Sequence, residues 1–185
     1  MESLKMDVEK ICSFYVNEWH LVTMILPYIN KEINEKANIT TILENDIEEN
    51  VKTLLAKLNL KNEKTILEIN WKANKEITSN YIEDIFNNLI KNNNNEEIIF
   101  INGSRDYIDF ANYQIERMIK QNIFNIKDKK IKVINCYEVT EFNSGIKDIL
   151  DSHIKILKTA GEKYKTEVFG GYEIKMTKII FCYNM

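Results

Sequence analysis

Apolar positions along this chain follow two rhythms that alternate. Short β-branched runs predict strands, and stripes recurring every three or four residues predict helices. Ile11-Cys12-Ser13-Phe14-Tyr15 predicts the first strand. Asn17 then caps a helix with Trp19, Val22, Leu26, Ile29 and Ile33 along its buried stripe. Pro27 is expected to kink or break that helix, since proline lacks the amide donor. Ile39 to Leu43 (ITTIL) predicts a second strand. Asp46 followed by Glu49 resembles a capping box, opening a helix with Ile47, Val51, Leu54, Leu55 and Leu58 on one face. Thr65 to Trp71 (TILEINW) alternates and is expected to be the third strand. Tyr81, Ile82, Ile85, Phe86, Leu89 and Ile90 define the next helix, and Asn92 to Asn95 a solvated connector.

The clearest unit runs from Glu96 to Met118. Ile98-Ile99-Phe100-Ile101 has the make-up of a buried strand, Asn102-Gly103-Ser104 is a turn, and Ile108, Ala111, Ile115 and Met118 share a helix face. Lys130 to Cys136 (KIKVINC) supplies a fifth strand. Ser144 or Asn143 opens a last helix, with Ile146, Ile149, Leu150, His153 and Leu157 on its buried side. From Thr166 onward TEVFGGYEIKM and TKIIFCYN read as an antiparallel strand pair, Gly170-Gly171 being a hairpin turn or a bulge. The implied fold is α/β: one three-layer domain over residues 1–185, with a mainly parallel five-stranded sheet, helices on both faces and a C-terminal antiparallel strand pair.

A length of 185 residues allows a real core. The net charge of −3, with lysines scattered among acids, argues against a grip on nucleic acid. The N-terminus has no apolar core of the signal-peptide kind and no run is long enough for a membrane span, so no membrane partner is expected. Cys12, Cys136 and Cys182 lack metal-ligand spacing, and an odd, sparse set of thiols suits a reducing cytoplasm. With His20 and His153 as its histidines, the chain offers no His-rich metal site.

In such a sheet ligands sit beyond the carboxyl ends of the strands, where helix N-termini point their amides. The candidate ligand-binding residues are therefore Tyr15, Glu18, Glu44, Asp46, Trp71, Asn102, Ser104, Arg105, Tyr137 and Glu138. Arg105 has the planar fork that pairs with a carboxylate or phosphate. Turn and cap chemistry alone accounts for most of this set. A phosphate-cradling loop is missing: Val16-Asn17-Glu18-Trp19 follows the first strand with no glycine and with an acid. Ser104 after Gly103 lacks the second glycine of a nucleophile elbow, and His153 on an apolar face reads as a packed core residue. No catalytic constellation and no cofactor or metal site is expected.

Three segments together resemble the MEDS family of sensory domains. They are Ile11-Cys12-Ser13-Phe14-Tyr15 with Glu18 and Leu26-Pro27-Tyr28-Ile29; Asn102-Gly103-Ser104-Arg105-Asp106-Tyr107 running to Ile115-Glu116-Arg117-Met118; and Val133-Ile134-Asn135-Cys136-Tyr137-Glu138 with Ile149-Leu150-Asp151-Ser152-His153. The chain departs from the family in having no residue between Cys136 and Tyr137 and no aromatic pair at the Asn102 turn. The resemblance implies a RecA/KaiC-like fold that has lost its phosphate loop. It also implies a stand-alone sensory or signalling role, with output through a histidine kinase or transcription regulator. Two alternatives stand beside this expectation. One is a nucleotide-binding enzyme with a non-standard phosphate loop. The other is an interaction module that forms a homodimer through its tail.

Overall fold

Residues 11–15 do form a strand, longer than their apolar run: Asp7–Tyr15 (β1) lies inside a six-stranded sheet. Asn38–Leu43 (β2), Glu96–Asn102 (β3), Lys130–Glu138 (β4), Lys155–Lys158 (β5) and Gly161–Tyr164 (β6) complete it, in the order β2-β3-β4-β1-β5-β6. Every neighbouring pair is parallel except β5 with β6. The computed structural model describes residues 7–126, 128–140, 145–159 and 161–169. The sheet therefore holds six strands among the described residues, where the sequence pattern implied five and a separate pair.

Helices cover both faces. Glu18–Asn34 (α1), Glu48–Leu58 (α2) and Glu63–Glu68 (α3) pack on one face, and Ser79–Lys91 (α4), Arg105–Gln121 (α5), Ile123–Ile126 (α6) and Ile146–Ser152 (α7) on the other. A last short turn, Lys165–Val168 (α8), follows β6. Strand alternation splits the core in two. Ile11, Ile98, Phe100, Ile134 and Cys136 face α1, while Cys12, Ile99, Ile101, Val133 and Tyr137 face α5 and α7.

Several expectations are corrected. Thr65 to Trp71 is not a strand. Ile66 is fully buried while Leu67 is 44% exposed, and the segment coils as α3 before Trp71 drops into the core. Residues 70–74 then run along the outer edge of β2: Thr41 donates to the Asn70 carbonyl, and the Asn74 amide donates to the Leu43 carbonyl at 2.6 Å. An edge strand is thereby covered and no slot remains for a strand there. The last helix does not reach Leu157. It stops at Ser152, and His153 turns extended (φ −121°, ψ 144°) to feed β5, whose Ile156 and Leu157 face opposite cores.

The antiparallel pair accordingly lies at residues 155–164, with Gly161 at φ +104° opening its second strand, and residues 166–168 of the predicted tail strand are helical, within α8. The rest of that predicted pair, including Gly170-Gly171, and the cap choice between Asn143 and Ser144 lie outside the described residues. Finally, Asp46 and Glu49 form no capping box. Asp46 Oδ1 accepts the Glu48 amide at 3.0 Å, and Ile47 stands at the N-cap.

Helix α1 runs on through Pro27, whose ring lies on the solvent side, and Trp19 is half exposed rather than part of the buried stripe. The asparagine connector is less free than its composition suggests. Lys129 Nζ donates to Asn92 Oδ1 at 2.9 Å and to the Asn94 carbonyl at 2.6 Å, holding the loop against β4.

Candidate functional site

The two ends of the sheet carry different chemistry. At the carboxyl end, β1 and β4 are neighbours whose following helices leave on opposite faces, α1 on one and α7 on the other, so their C-termini form a topological switch point. Tyr15, Asn102 and Cys136 converge there: Asn102 Nδ2 donates to Tyr15 Oη at 2.7 Å and to the Cys136 carbonyl at 3.3 Å. All three residues are buried. Burial, partly offset by the Asn102 bond, pushes the Tyr15 phenol up to about 12, so it stays protonated.

The N-termini of α1 and α5, two of the helices that start at this end, are filled by side chains of the chain itself. Only Val16 and Asn17 separate β1 from α1, and Asn17 Oδ1 accepts the His20 amide at 3.0 Å. At α5, Glu44 reaches over from the end of β2, accepting the Ser104 amide at 2.5 Å and the Ser104 hydroxyl at 3.3 Å. Gly103 makes that approach feasible. A Cβ on it would stand 2.6 Å from Glu44 Oε2, 2.7 Å from Glu44 Cβ and 2.9 Å from Tyr107 Cδ1.

The structure brings Tyr15 and Asn102 together, and Glu44 with Ser104, but scatters the rest of the sequence-derived set. Arg105 opens α5, where it stands 3.7 Å from Asp109 and 3.8 Å from Asp148 and packs closely on Gly145. Trp71 is a core residue, its indole N–H donating to the Ile66 carbonyl at 2.8 Å. Tyr137 points to the opposite face from Tyr15, edge-on to the His153 ring at 6.1 Å. Glu138 ends β4 beside Tyr15 in register, half-buried; Glu18 opens α1 and Asp46 lies in the loop before α2, both exposed.

His153 lies in a second buried network that the sequence reading did not assemble. Its Nδ1 is 2.6 Å from the Ile149 carbonyl, to which it donates; Nε2 then accepts from Asn135 Nδ2 at 2.8 Å, and Asn135 is bonded in turn to Asn112. Burial pushes this imidazole down to about 4, the Ile149 bond only partly opposing it, so the ring is neutral at physiological pH.

The amino end of the sheet is ionic, and the sequence set contained none of it. Lys132, in the second turn of pleat along β4, is surrounded by Glu162 at 3.0 Å, Glu96 at 3.1 Å and Glu32 at 3.3 Å. Lys155 joins Glu9 at 2.6 Å to Glu162 at 3.0 Å, and the Tyr28 hydroxyl donates to Glu162 at 2.5 Å. Burial alone would raise the Glu162 carboxyl, but Tyr28, Lys132 and Lys155 bring it down to about 2. Burial works against a charged Lys132, and its carboxylates outweigh that, raising it above the ordinary lysine value. A signal was present in the sequence: Lys132 and Glu32 interrupt apolar patterns at positions that must face inward.

Between the C-terminal half of α1 and the β5–β6 hairpin this network floors a cleft of ≈ 500 Å³. Among the described residues no group of three or more His, Cys, Asp or Glu is placed to hold a metal ion, and no helix is long and apolar enough to cross a membrane. No family model matches the chain, and neither a curated protein nor a solved structure was found to match it.

Proposed function

We propose that this chain is a non-catalytic binding domain of sensory or signalling type, in which the nucleotide edge of an α/β sheet is closed and a small molecule or a signalling protein is bound elsewhere. The observation that carries the reading is the two-residue connection between β1 and α1. A phosphate-wrapping loop needs several glycine-rich residues at that point, and two residues whose amides are already turned into a capped helix cannot supply it. Glu44 on the α5 amide adds a carboxylate where a phosphate oxygen would have to go.

The resemblance to MEDS domains points to the same class, with a histidine kinase or transcription regulator as the protein partner. The test is a thermal-shift screen of the full chain against metabolites and nucleotides. A ligand at 100 times its Kd adds about 2.7 kcal/mol of stability, whereas ATP and GTP leave the midpoint unmoved. ATP turnover that disappears in Arg105→Ala overturns the reading in favour of an enzyme.

A further inference from the structure

Helix α5 is patterned on both of its sides. Ile108, Ala111, Ile115 and Met118 pack inward, while Phe110 and Tyr113 are 41% and 64% exposed. With Asp106 before them and Arg117 after, these outer residues recur at three- and four-residue steps, the spacing of a seam along which two helices pack. Single exposed apolar residues are ordinary, but two aromatic rings one turn apart with a charge at either end make a patch.

The two seam charges are uncommitted, unlike their neighbours on the same helix. Asp109 lies 3.7 Å from Arg105, and Glu116 is paired with Lys10. Asp106 and Arg117 form no ion pair among the described residues, and the buried Arg117 Nε has no hydrogen-bond partner there. Nor can they meet each other, because about 16 Å of helix axis separates them within one copy. Read backwards, however, the seam is complementary to itself. A second α5 laid antiparallel brings its Arg117 beside Asp106 and its Tyr113 beside Phe110, and the two-fold axis repeats both contacts. The aromatic pairs are then central, the ion pairs flank them, and the helix dipoles oppose one another. A parallel pairing would instead set Asp106 against Asp106 and Arg117 against Arg117.

We infer that this face binds a second copy of the chain through an antiparallel α5–α5 pair, in which Phe110 packs on Tyr113 and Asp106 pairs with Arg117 of the other copy. The 17 residues of α5 give a contact about 25 Å long. That lies at the small end of specific interfaces, so the expected dimer is reversible and of micromolar affinity. The inference goes beyond the sensory reading and does not depend on it.

Sedimentation equilibrium of the full chain over a concentration series tests it, with the variants Tyr113→Glu, Asp106→Arg and Arg117→Asp. The unaltered chain is expected to pass from one copy to two as concentration rises. Each variant alone is expected to associate at least about tenfold more weakly, because a charge replaces the ring or like charges meet across the axis. Mixing the Asp106→Arg chain with the Arg117→Asp chain regenerates both opposite-charge pairs, and a one-to-one heterodimer near the original affinity is expected. That recovery also separates a lost contact from a lost fold. An unaltered chain that stays monomeric overturns the inference and returns the seam to a different protein. A dimer indifferent to Tyr113→Glu places the contact elsewhere and overturns it as well, as does a mixture of the two charge variants that fails to recover.

Discussion

The two ends of one sheet solve opposite problems. At the carboxyl end the buried centre, Tyr15 with Asn102 and the Cys136 carbonyl, is neutral, and two helix N-termini find side-chain acceptors within the chain: Asn17 for α1, Ser104 and Glu44 for α5. At the amino end Lys132, with only 8% of its side chain exposed, is held among three carboxylates. The first arrangement removes a binding surface by satisfying its donors internally. The second keeps charge in a low-dielectric place, where attraction between partners is strong but so is the penalty when one is lost. The lesson is that the fold's customary ligand edge and its most polarised cavity need not coincide.

The comparison can be broken most sharply at Lys132. Lys132→Ala leaves Glu32, Glu96 and Glu162 facing one another, and the expected loss is about 3–5 kcal/mol, read from the midpoint of urea unfolding. A loss below about 1 kcal/mol would show that water already shares the site.

Acid separates the two buried networks. His153 is held neutral with its pKa lowered to about 4, so below its unfolded value near 6.5 the unfolded chain binds a proton the folded chain refuses. Stability therefore falls as pH drops from about 6.5 towards 4, by about 3 kcal/mol. Glu162, lowered to about 2, contributes stability present above its unfolded value near 4.5 and lost as pH falls towards 2. Unfolding measured across this range is expected to show the lower limb flattened in Glu162→Gln and the upper limb flattened in His153→Gln. Coincident profiles for both variants would mean the networks are not independent.

At the carboxyl end the effects are smaller. Gly103→Ala places a methyl within 3 Å of Glu44 and Tyr107, and overpacking of this kind costs about 1–3 kcal/mol by thermal or urea unfolding. Glu44→Ala removes the acceptor at the Ser104 amide and is expected to cost about 1 kcal/mol, as loss of a helix cap does. If Glu44→Ala instead proves as damaging as Lys132→Ala, the carboxyl end is the more polarised of the two.

Much of the fold was legible because its elements are written in local periodicity. The runs at 39–43, 98–101 and 130–136 are strands, and the stripes through Val22, Val51, Phe86 and Ile115 are helices, since a two-residue or a three-to-four-residue period fixes which side can be buried. Thr65 to Trp71 misled because its alternation was short, and the open edge of β2 was covered by an irregular segment instead. Residues 155–157 misled because a helical stripe and a two-residue buried strand look alike over so few positions. Of the candidate residues, those that meet across strand ends, Tyr15 with Asn102 and Glu44 with Ser104, came from reasoning about sheet geometry. The Lys132 cluster draws one residue each from α1, β3, β4 and β6, and no spacing along the chain could link them.

What the sequence determined alone is the alternation of strands and helices, the missing glycine loop after Tyr15, the cap at Asn17 and the turn at Asn102-Gly103-Ser104, because each depends on neighbours a few residues apart. What only the tertiary structure decided is strand order, the entry of residues 155–158 and 161–164 into the sheet, and the gathering of Lys132, Glu32, Glu96 and Glu162. Those depend on contacts between residues distant in the chain (Ile11 with Lys155 in the sheet, Lys132 with Glu32 in the cluster), where burial and charge are set by packing rather than by the local chain.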